Sequence, residues 1–323
     1  MSRPSGTAQP LVVFVVLNWN QRELTLECLA SLSVQRYRSV DIILVDNGST
    51  DGSVPAVRQA YPAVTVIENG ANLGFAAANN AGIRLALQRG AAYVFLLNND
   101  TLVAPDMLSR LVEVGSADAA IGVLGPAVLY YDQPGIVSCA GNGVDWRDAS
   151  TRLIADGEPY TDVAALAPYP VAFVSGCAIC VKRAVIEAIG LLDERCFIYY
   201  EETDWCVRAT EQGWQCVCVP GAHMWHRISA AMGPASPATS YYMSRNRLLF
   251  IGKHTCGVRR MRVLARALAQ EVRTIIAHSL KPRHRHRAAG RTARALALRD
   301  ALLGRYGQMG ADVAAVCFPN PAP

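Results

Sequence analysis

The apolar and polar positions repeat one unit along the first third of the chain. Leu11–Leu17 is an unbroken apolar run of strand length that ends at Asn18. Arg22–Ser33 follows with helical spacing, placing Leu24, Cys28, Leu29 and Leu32 on one face. "VDIILVD" is a second strand ending at Asp46, and "NGSTDGS" after it supplies a turn and Ser and Asp caps for a helix. "AVTVIE" is a third strand. "NLGFAAANNAGIRLALQRG" holds a loop and an Ala-rich helix stopped by Gly90, and "AAYVFLL" is a fourth strand. Apolar strands alternating with helices predict an α/β fold, with a mostly parallel, Rossmann-like sheet covered by helices on both faces. Ligands of such sheets gather beyond the C-terminal strand ends. Asn18, Asp46, Asn72 and Asp100 all fall at or close to those ends.

The middle is less regular. "LGPAVLYYDQPGIVSCAGNGVDWRD" mixes Gly and Pro with short β-rich pieces, and "YPVAFVSGCAICVKR" reads as a strand pair. "FIYYEETDWCVRATEQGW" opens extended and becomes a helix. From Ser240 onward the pattern is almost wholly helical, broken at "HTCG" and "KPRHRHRAAG". The expected organisation is a flexible segment 1–10, a main domain 11–255 whose halves meet near residue 130, and a basic helical extension 256–323.

Composition narrows the class. The 323 residues are 51% hydrophobic and 18% charged, which suits a substantial core and excludes disorder. No apolar run approaches the roughly 20 residues of a membrane span. The N-terminus lacks a cationic start and a cleavage site, so no signal peptide is expected. A cytoplasmic location follows, and with it reduced thiols for the ten cysteines. Cys177 with Cys180 and Cys216 with Cys218 have zinc-like spacing but lie in strand-like stretches, where buried thiols are the simpler reading. Between Val258 and Arg305 there are 13 Lys or Arg and two acids, Glu271 and Asp300, so the net charge of +5 hides an acidic body with a basic tail. Such a tail suits an anionic surface. Nucleic acid is disfavoured because no aromatic residues are interleaved with the charges.

Neither a Gly-rich dinucleotide loop nor a phosphate-binding P-loop follows the first strand, where "NWNQRE" stands. "DNGSTDG" is weakly similar to a calcium loop, but Arg58 occupies the twelfth position in place of Glu. Asp46 ends a strand before Asn-Gly-Ser, where it can form an Asx-type turn or accept hydrogen bonds from a nucleoside. Asp100, in "LLNNDT", can cap the next helix or hold a hard divalent cation, with Asn98 or Asn99 adding neutral hydrogen bonds. Glu201, Glu202 and Asp204 start a helix. Asp204 with Arg208 is an ordinary i,i+4 pair, whereas Glu202 is free to face a cleft as a general base. His223 and His226 can be structural, and an imidazole near Asp100 could complete a metal site.

Taken together these stretches resemble glycosyltransferase family 2, particularly its bacterial rhamnosyltransferase-like members. The matching segments are "VVLNWNQRELTLECLASL", "DIILVDNGSTDGS", "NLGFAAANNAGI", "FLLNNDT", "GCAICVKRAVIEAIGLLDERCFIYYEETDWCVRA" and "YYMSRNRLLF", in order over roughly residues 11–255. The resemblance implies a GT-A fold, a nucleoside-diphosphate sugar donor, Mg2+ or Mn2+, and inversion at the anomeric carbon. It implies that Asp46 contacts the nucleoside and that Asn18, Asn72, Gly74 and Asn99 belong to the donor site. Asp100 stands at the metal-ligand position of a D-x-D-type motif, with His226 beside it. Glu202 occupies the base position, with Glu201 as the competing assignment, and Arg245 and Asn246 help hold the diphosphate. The motif here has one carboxylate, so the donor phosphates must complete the cation's shell.

The expected reaction is a single displacement that moves a sugar, with a deoxyhexose such as rhamnose as candidate, to a hydroxyl of a glycan, lipid-linked or small-molecule acceptor. The alternatives are a sugar nucleotidyltransferase, disfavoured by the absent Gly-rich loop, and a non-catalytic membrane-associated assembly protein. The tail carries Val263, Leu264, Ala267, Leu268, Val272, Ile275 and Ile276 on one approximate helical face. That face either lies on an anionic bilayer, peripheral to the cytoplasmic membrane, or packs on the catalytic domain.

Overall fold

The computed structural model describes residues 9–227, 236–280 and 288–319. The expected repeat is present as β1 (Val12–Asn18), α1 (Arg22–Ser33), β2 (Val40–Asp46), α2 (Ser53–Ala60), β3 (Thr65–Glu68), α3 (Gly74–Gln88) and β4 (Tyr93–Asn98). β1 pairs in parallel with β2 and β4, and β2 with β3. Because the strands are buried on both faces, their apolar runs are continuous. Successive side chains point to opposite faces. Val12, Phe14 and Val16 therefore join one core with α1 and α2, while Val13 and Val15 join another with α3.

The chain continues through β5 (Thr101–Val103), α4 (Met107–Ala117), β6 (Ile121–Tyr130), β7 (Val137–Cys139), β8 (Asn142–Asp145), β9 (Ser150–Leu153), α5 (Tyr160–Ala164), β10 (Tyr169–Pro170), β11 (Ala178–Lys182), α6 (Arg183–Ile189), α7 (Glu201–Glu211) and β12 (Gln215–His226). The main sheet runs β10-β12-β6-β11-β4-β1-β2-β3. Its middle strand β11 is antiparallel to both neighbours, so the sheet is mixed. The two strands expected in "YPVAFVSGCAICVKR" exist as β10 and β11 but do not pair with each other. β10 pairs with β12, and β11 lies between β4 and β6. β8 and β9 form a separate hairpin. The ten cysteines are free, and all but Cys256 are buried, as strand and core positions require.

α8 (Pro237–His254) ends the 11–255 segment, and the extension comprises α9 (Gly257–Leu280), α10 (Ala288–Leu302) and α11 (Ala311–Cys317). The break at "HTCG" falls between α8 and α9; residues 281–287 of "KPRHRHRAAG" lie outside the described residues. These helices pack on the body. Val263 and Ala267 of α9 are buried with Phe250, Ile251, Tyr200 and Val207. Ala293 and Ala297 of α10 are buried with Tyr241 and Tyr242. The tail face expected from the sequence is therefore divided: Val263 and Ala267 point inward, whereas Val272 and Ile276 are exposed. Both tail acids are also internal. Glu271 accepts hydrogen bonds from Ser244 Oγ at 2.9 Å and Arg294 at 2.7 Å, and Asp300 accepts from Tyr241 Oη at 2.8 Å. Among the described residues, no helix is long and apolar enough to cross a membrane.

Candidate active site

The C-terminal ends of β1, β2 and β4 meet in one amide network. Asn99 Nδ2 donates to Asn18 Oδ1 at 3.0 Å and to Thr25 Oγ1 at 2.8 Å. Asn18 Nδ2 donates to Asp46 Oδ1 at 2.7 Å, and Ser49 N donates to Asp46 Oδ2 at 2.9 Å. The Asx-type turn at Asp46 therefore exists, and its buried carboxylate retains lone pairs for further donors. One residue on, Asn47 Nδ2 donates to Asn72 Oδ1 at 2.9 Å, and the same oxygen accepts from Gly74 N at 2.9 Å. Gly74 has φ +81°, and a Cβ there would lie 2.5 Å from the Phe197 ring and 2.6 Å from its carbonyl oxygen. The close approach lets Phe75 N donate to that carbonyl at 2.6 Å. Thr25, Asn47 and Ser49 were not singled out by sequence reasoning; only the contacts reveal their roles.

Asp100 lies immediately beyond this network. β5 pairs with the end of β12, setting His226 opposite Thr101. His226 Nε2 is thereby 3.1 Å from Asp100 Oδ1. Asp100 Oδ1 is buried and, among the described residues, makes no hydrogen bond of good geometry. Burial opposes charge on His226, but Cys177 and Asp100 outweigh it and lift the imidazole to about 10. The buried Asp100 carboxylate and this imidazole could hold a divalent cation once the imidazole gives up its proton and frees Nε2. Among the described residues no cluster of three or more His, Cys, Asp or Glu is arranged to hold a metal, so the remaining ligands would be phosphate and water.

A cleft of about 840 Å³ lies on the α7 side of the sheet. Glu202, Phe173, Ser175 and Tyr199 line one wall; Arg247, Glu271 and Arg294 of α8, α9 and α10 line the other. The segment before β11 joins cleft and sheet edge. Ser175 lines the cleft and lies 3.1 Å from Cys177 Sγ, and Cys177 O accepts from Asn98 N at 3.0 Å. Glu201 is buried outside the cleft lining. Oε2 of each glutamate has no hydrogen-bond partner among the described residues. Burial pushes both carboxyls up, and Glu201 rises further through repulsion from Glu202, whereas backbone N–H groups at the helix start restrain Glu202. Asp204 is spent on structure, 2.9 Å from Arg208 and 2.6 Å from Lys253.

One expectation changes. The chain before α7 is not extended: Phe197, Tyr199 and Tyr200 have φ of 64°, 71° and 74°. Arg245 and Asn246 are fully buried and hold this loop, with no donor left facing the strand ends. Asn246 Nδ2 donates to the carbonyls of Cys196 at 2.8 Å, Ile198 at 2.9 Å and Tyr199 at 2.8 Å. Arg245 donates to Cys196 O at 3.1 Å, Gly307 O at 2.8 Å and Asn246 Oδ1 at 3.0 Å. In this structure both side chains are engaged with the segment that carries Glu202.

This fold is of the GT-A class. The mannosyltransferase PcManGT of Pyrobaculum calidifontis, solved with GDP-Man and Mn2+, superposes with a TM-score of 0.57 over 93% of this chain and 89% of its own, at 19% identity. GalNAc-T7, solved with UDP, GalNAc and Mn2+, gives a TM-score of 0.62 over 76% of this chain and 48% of its own, at 16% identity. The chain belongs to glycosyl transferase family 2, whose model matches residues 13–189. It is 33% identical to the N-acetylglucosaminyl-diphospho-decaprenol L-rhamnosyltransferase of Mycobacterium tuberculosis over 242 residues, 67% of this chain and 76% of the relative. It is 24% identical to the dTDP-rhamnosyl transferase RfbF of Shigella flexneri over 252 residues, 74% of this chain and 79% of the relative.

Proposed function

We propose that the chain is an inverting, metal-dependent glycosyltransferase. It moves a sugar, with rhamnose as candidate from its relatives' names, from a nucleoside diphosphate to a hydroxyl bound in the cleft. The observation that carries this reading is the juxtaposition of two unlike sites. A polar strand-end edge, where the buried Asp100 carboxylate sits beside His226, adjoins a cleft lined by Glu202.

In this reading Asp46 and Asn72 bind the nucleoside side of the donor, with Asn18 and Asn99 holding Asp46 in place. Asp100, with His226 once its proton is lost, would hold Mg2+ or Mn2+, which would offset the charge of the diphosphate leaving group. Glu202 takes the proton of the acceptor hydroxyl as its oxygen attacks the anomeric carbon and the bond to the diphosphate breaks on the opposite face. Such base catalysis is worth typically about 10²–10⁴-fold. Glu201 lies outside the cleft lining, so Glu202 is the carboxylate of the pair that faces the acceptor. The acceptor class we favour is a lipid-linked or glycan hydroxyl, consistent with the name of the Mycobacterium relative.

A thermal-shift screen of nucleoside-diphosphate sugars, with and without Mn2+ or Mg2+, tests the donor. The expected result is metal-dependent stabilisation by one sugar nucleotide, and release of its nucleoside diphosphate on turnover. Pyrophosphate release from a nucleoside triphosphate and a sugar phosphate would instead establish a nucleotidyltransferase. Failure to turn over any sugar nucleotide would leave a non-catalytic role.

A further inference from the structure

The outward half of α9 carries two ridges that the packing of the extension leaves uncovered. Positions 258, 261, 265, 268, 272 and 276 recur at intervals of three and four, so they form one line along the helix. Four of them are large and exposed: Val258 at 56%, Met261 at 63%, Val272 at 46% and Ile276 at 49%. Positions 259, 262, 266 and 273 form the neighbouring line, and all four are exposed arginines. No acid interrupts either ridge, because Glu271 points inward to Ser244, Arg247 and Arg294. The arginine ridge continues onto the tip of the β8–β9 hairpin. There Arg259 lies 5.2 Å over the Trp146 ring, and Arg147 pairs with Asp145 beside the groove. Further along α9, Glu271, Thr274 and His278 line the cleft over Glu202.

We propose that this face of α9, with Arg147 of the hairpin, docks on a bilayer surface containing anionic phospholipid. The apolar ridge is suited to the boundary between headgroups and acyl chains, and the arginine ridge to the phosphates, as in interfacial amphipathic helices. Charge complementarity selects this occupant over a second copy of the chain, since two such faces would oppose arginine to arginine. The docking orients the molecule, because one helix supplies both the membrane face and part of the cleft wall. A lipid-linked acceptor would then present its sugar to Glu202 while its chain stays in the bilayer. Only this last point rests on the proposed function; the docking itself does not.

The test uses the full chain in co-sedimentation with vesicles of phosphatidylcholine alone, or with about a third phosphatidylglycerol. The expected result is partitioning that requires the anionic lipid and weakens as salt is raised. Replacing Arg259, Arg262 and Arg266 together by Gln should lower it on the order of a hundredfold, taking about 1 kcal/mol per arginine near the surface. Met261→Ser with Ile276→Ser should also lower it. All replaced residues are exposed, so an unchanged melting curve and unchanged donor-induced thermal shift will certify folding. Equal binding to neutral vesicles, no binding to either, or variants that bind like the parent would overturn the proposal. A dimer in solution that dissociates on replacing Met261 and Ile276 would overturn it in favour of self-association. Sugar-nucleotide turnover without vesicles reports on the proposed function separately.

Discussion

Asn246→Ala separates a scaffolding role from a ligand-binding role. Its amide serves three carbonyls of a loop in which Phe197, Tyr199 and Tyr200 have φ of 64°, 71° and 74°. A left-handed conformation costs a residue with a Cβ about 1–2 kcal/mol, so this loop needs external support. Removing the amide leaves the part-buried carbonyls of Ile198 and Tyr199 without that donor, while Cys196 O keeps Arg245, at about 1–3 kcal/mol for an unsatisfied group. It also strips Arg245 Nε of its partner. The expected loss is about 2–4 kcal/mol in equilibrium urea unfolding. Turnover should fall as well, because Tyr200 leads directly into Glu201 and Glu202, while donor KM changes little. Stability within about 0.5 kcal/mol of the parent, with donor KM raised instead, would refute this reasoning and return Asn246 to the diphosphate.

Three further expectations rest on separate contacts. Asp100→Ala should weaken metal-dependent donor binding by on the order of tenfold or more in calorimetry; equal affinity with metal present would remove Asp100 from the site. Gly74→Ala should lower the melting temperature and abolish transfer, since the added Cβ meets Phe197 at 2.5 Å with φ at +81°. The cost is about 2–4 kcal/mol from the strained φ and the overlap, and a parental circular-dichroism melt would contradict it. Glu201→Gln should stabilise the protein at neutral pH. The folded carboxyl is held above its ordinary 4.5 by burial and by Glu202, so its contribution is complete in acid and is lost as pH rises through the folded value. The variant's advantage in melting temperature should therefore be absent near pH 4 and present near pH 7; a constant difference would refute it.

The parallel half was legible because buried strands and amphipathic helices write their period directly into the sequence. Val12–Asn18 and Arg22–Ser33 differ from the expected ranges by at most a residue. The clustering of Asn18, Asp46 and Asn99 was legible for the same reason, as parallel strands align their ends. The position of β11 was not, because an antiparallel insertion between β4 and β6 depends on contacts far apart in the chain. The positive φ of Phe197, Tyr199 and Tyr200 was also hidden, since no glycine marks it; Asn246, about fifty positions away, holds the loop in place. The sequence also does not show that Arg245 is buried among the carbonyls of Cys196 and Gly307, since those partners lie about fifty and sixty positions away. The tail's charge was visible, but which side of α9 faced outward required the inward placement of Val263, Ala267 and Glu271.

The most direct test of the central claim compares Glu202→Gln with Glu201→Gln under single-turnover conditions, using the donor identified by screening. Glutamine preserves shape but cannot take the acceptor proton. Glu202→Gln should retain metal-dependent donor binding while transfer falls by about 10²–10⁴-fold, and Glu201→Gln should keep most of its activity. Near-parental transfer by Glu202→Gln, or collapse of transfer only in Glu201→Gln, would contradict the account.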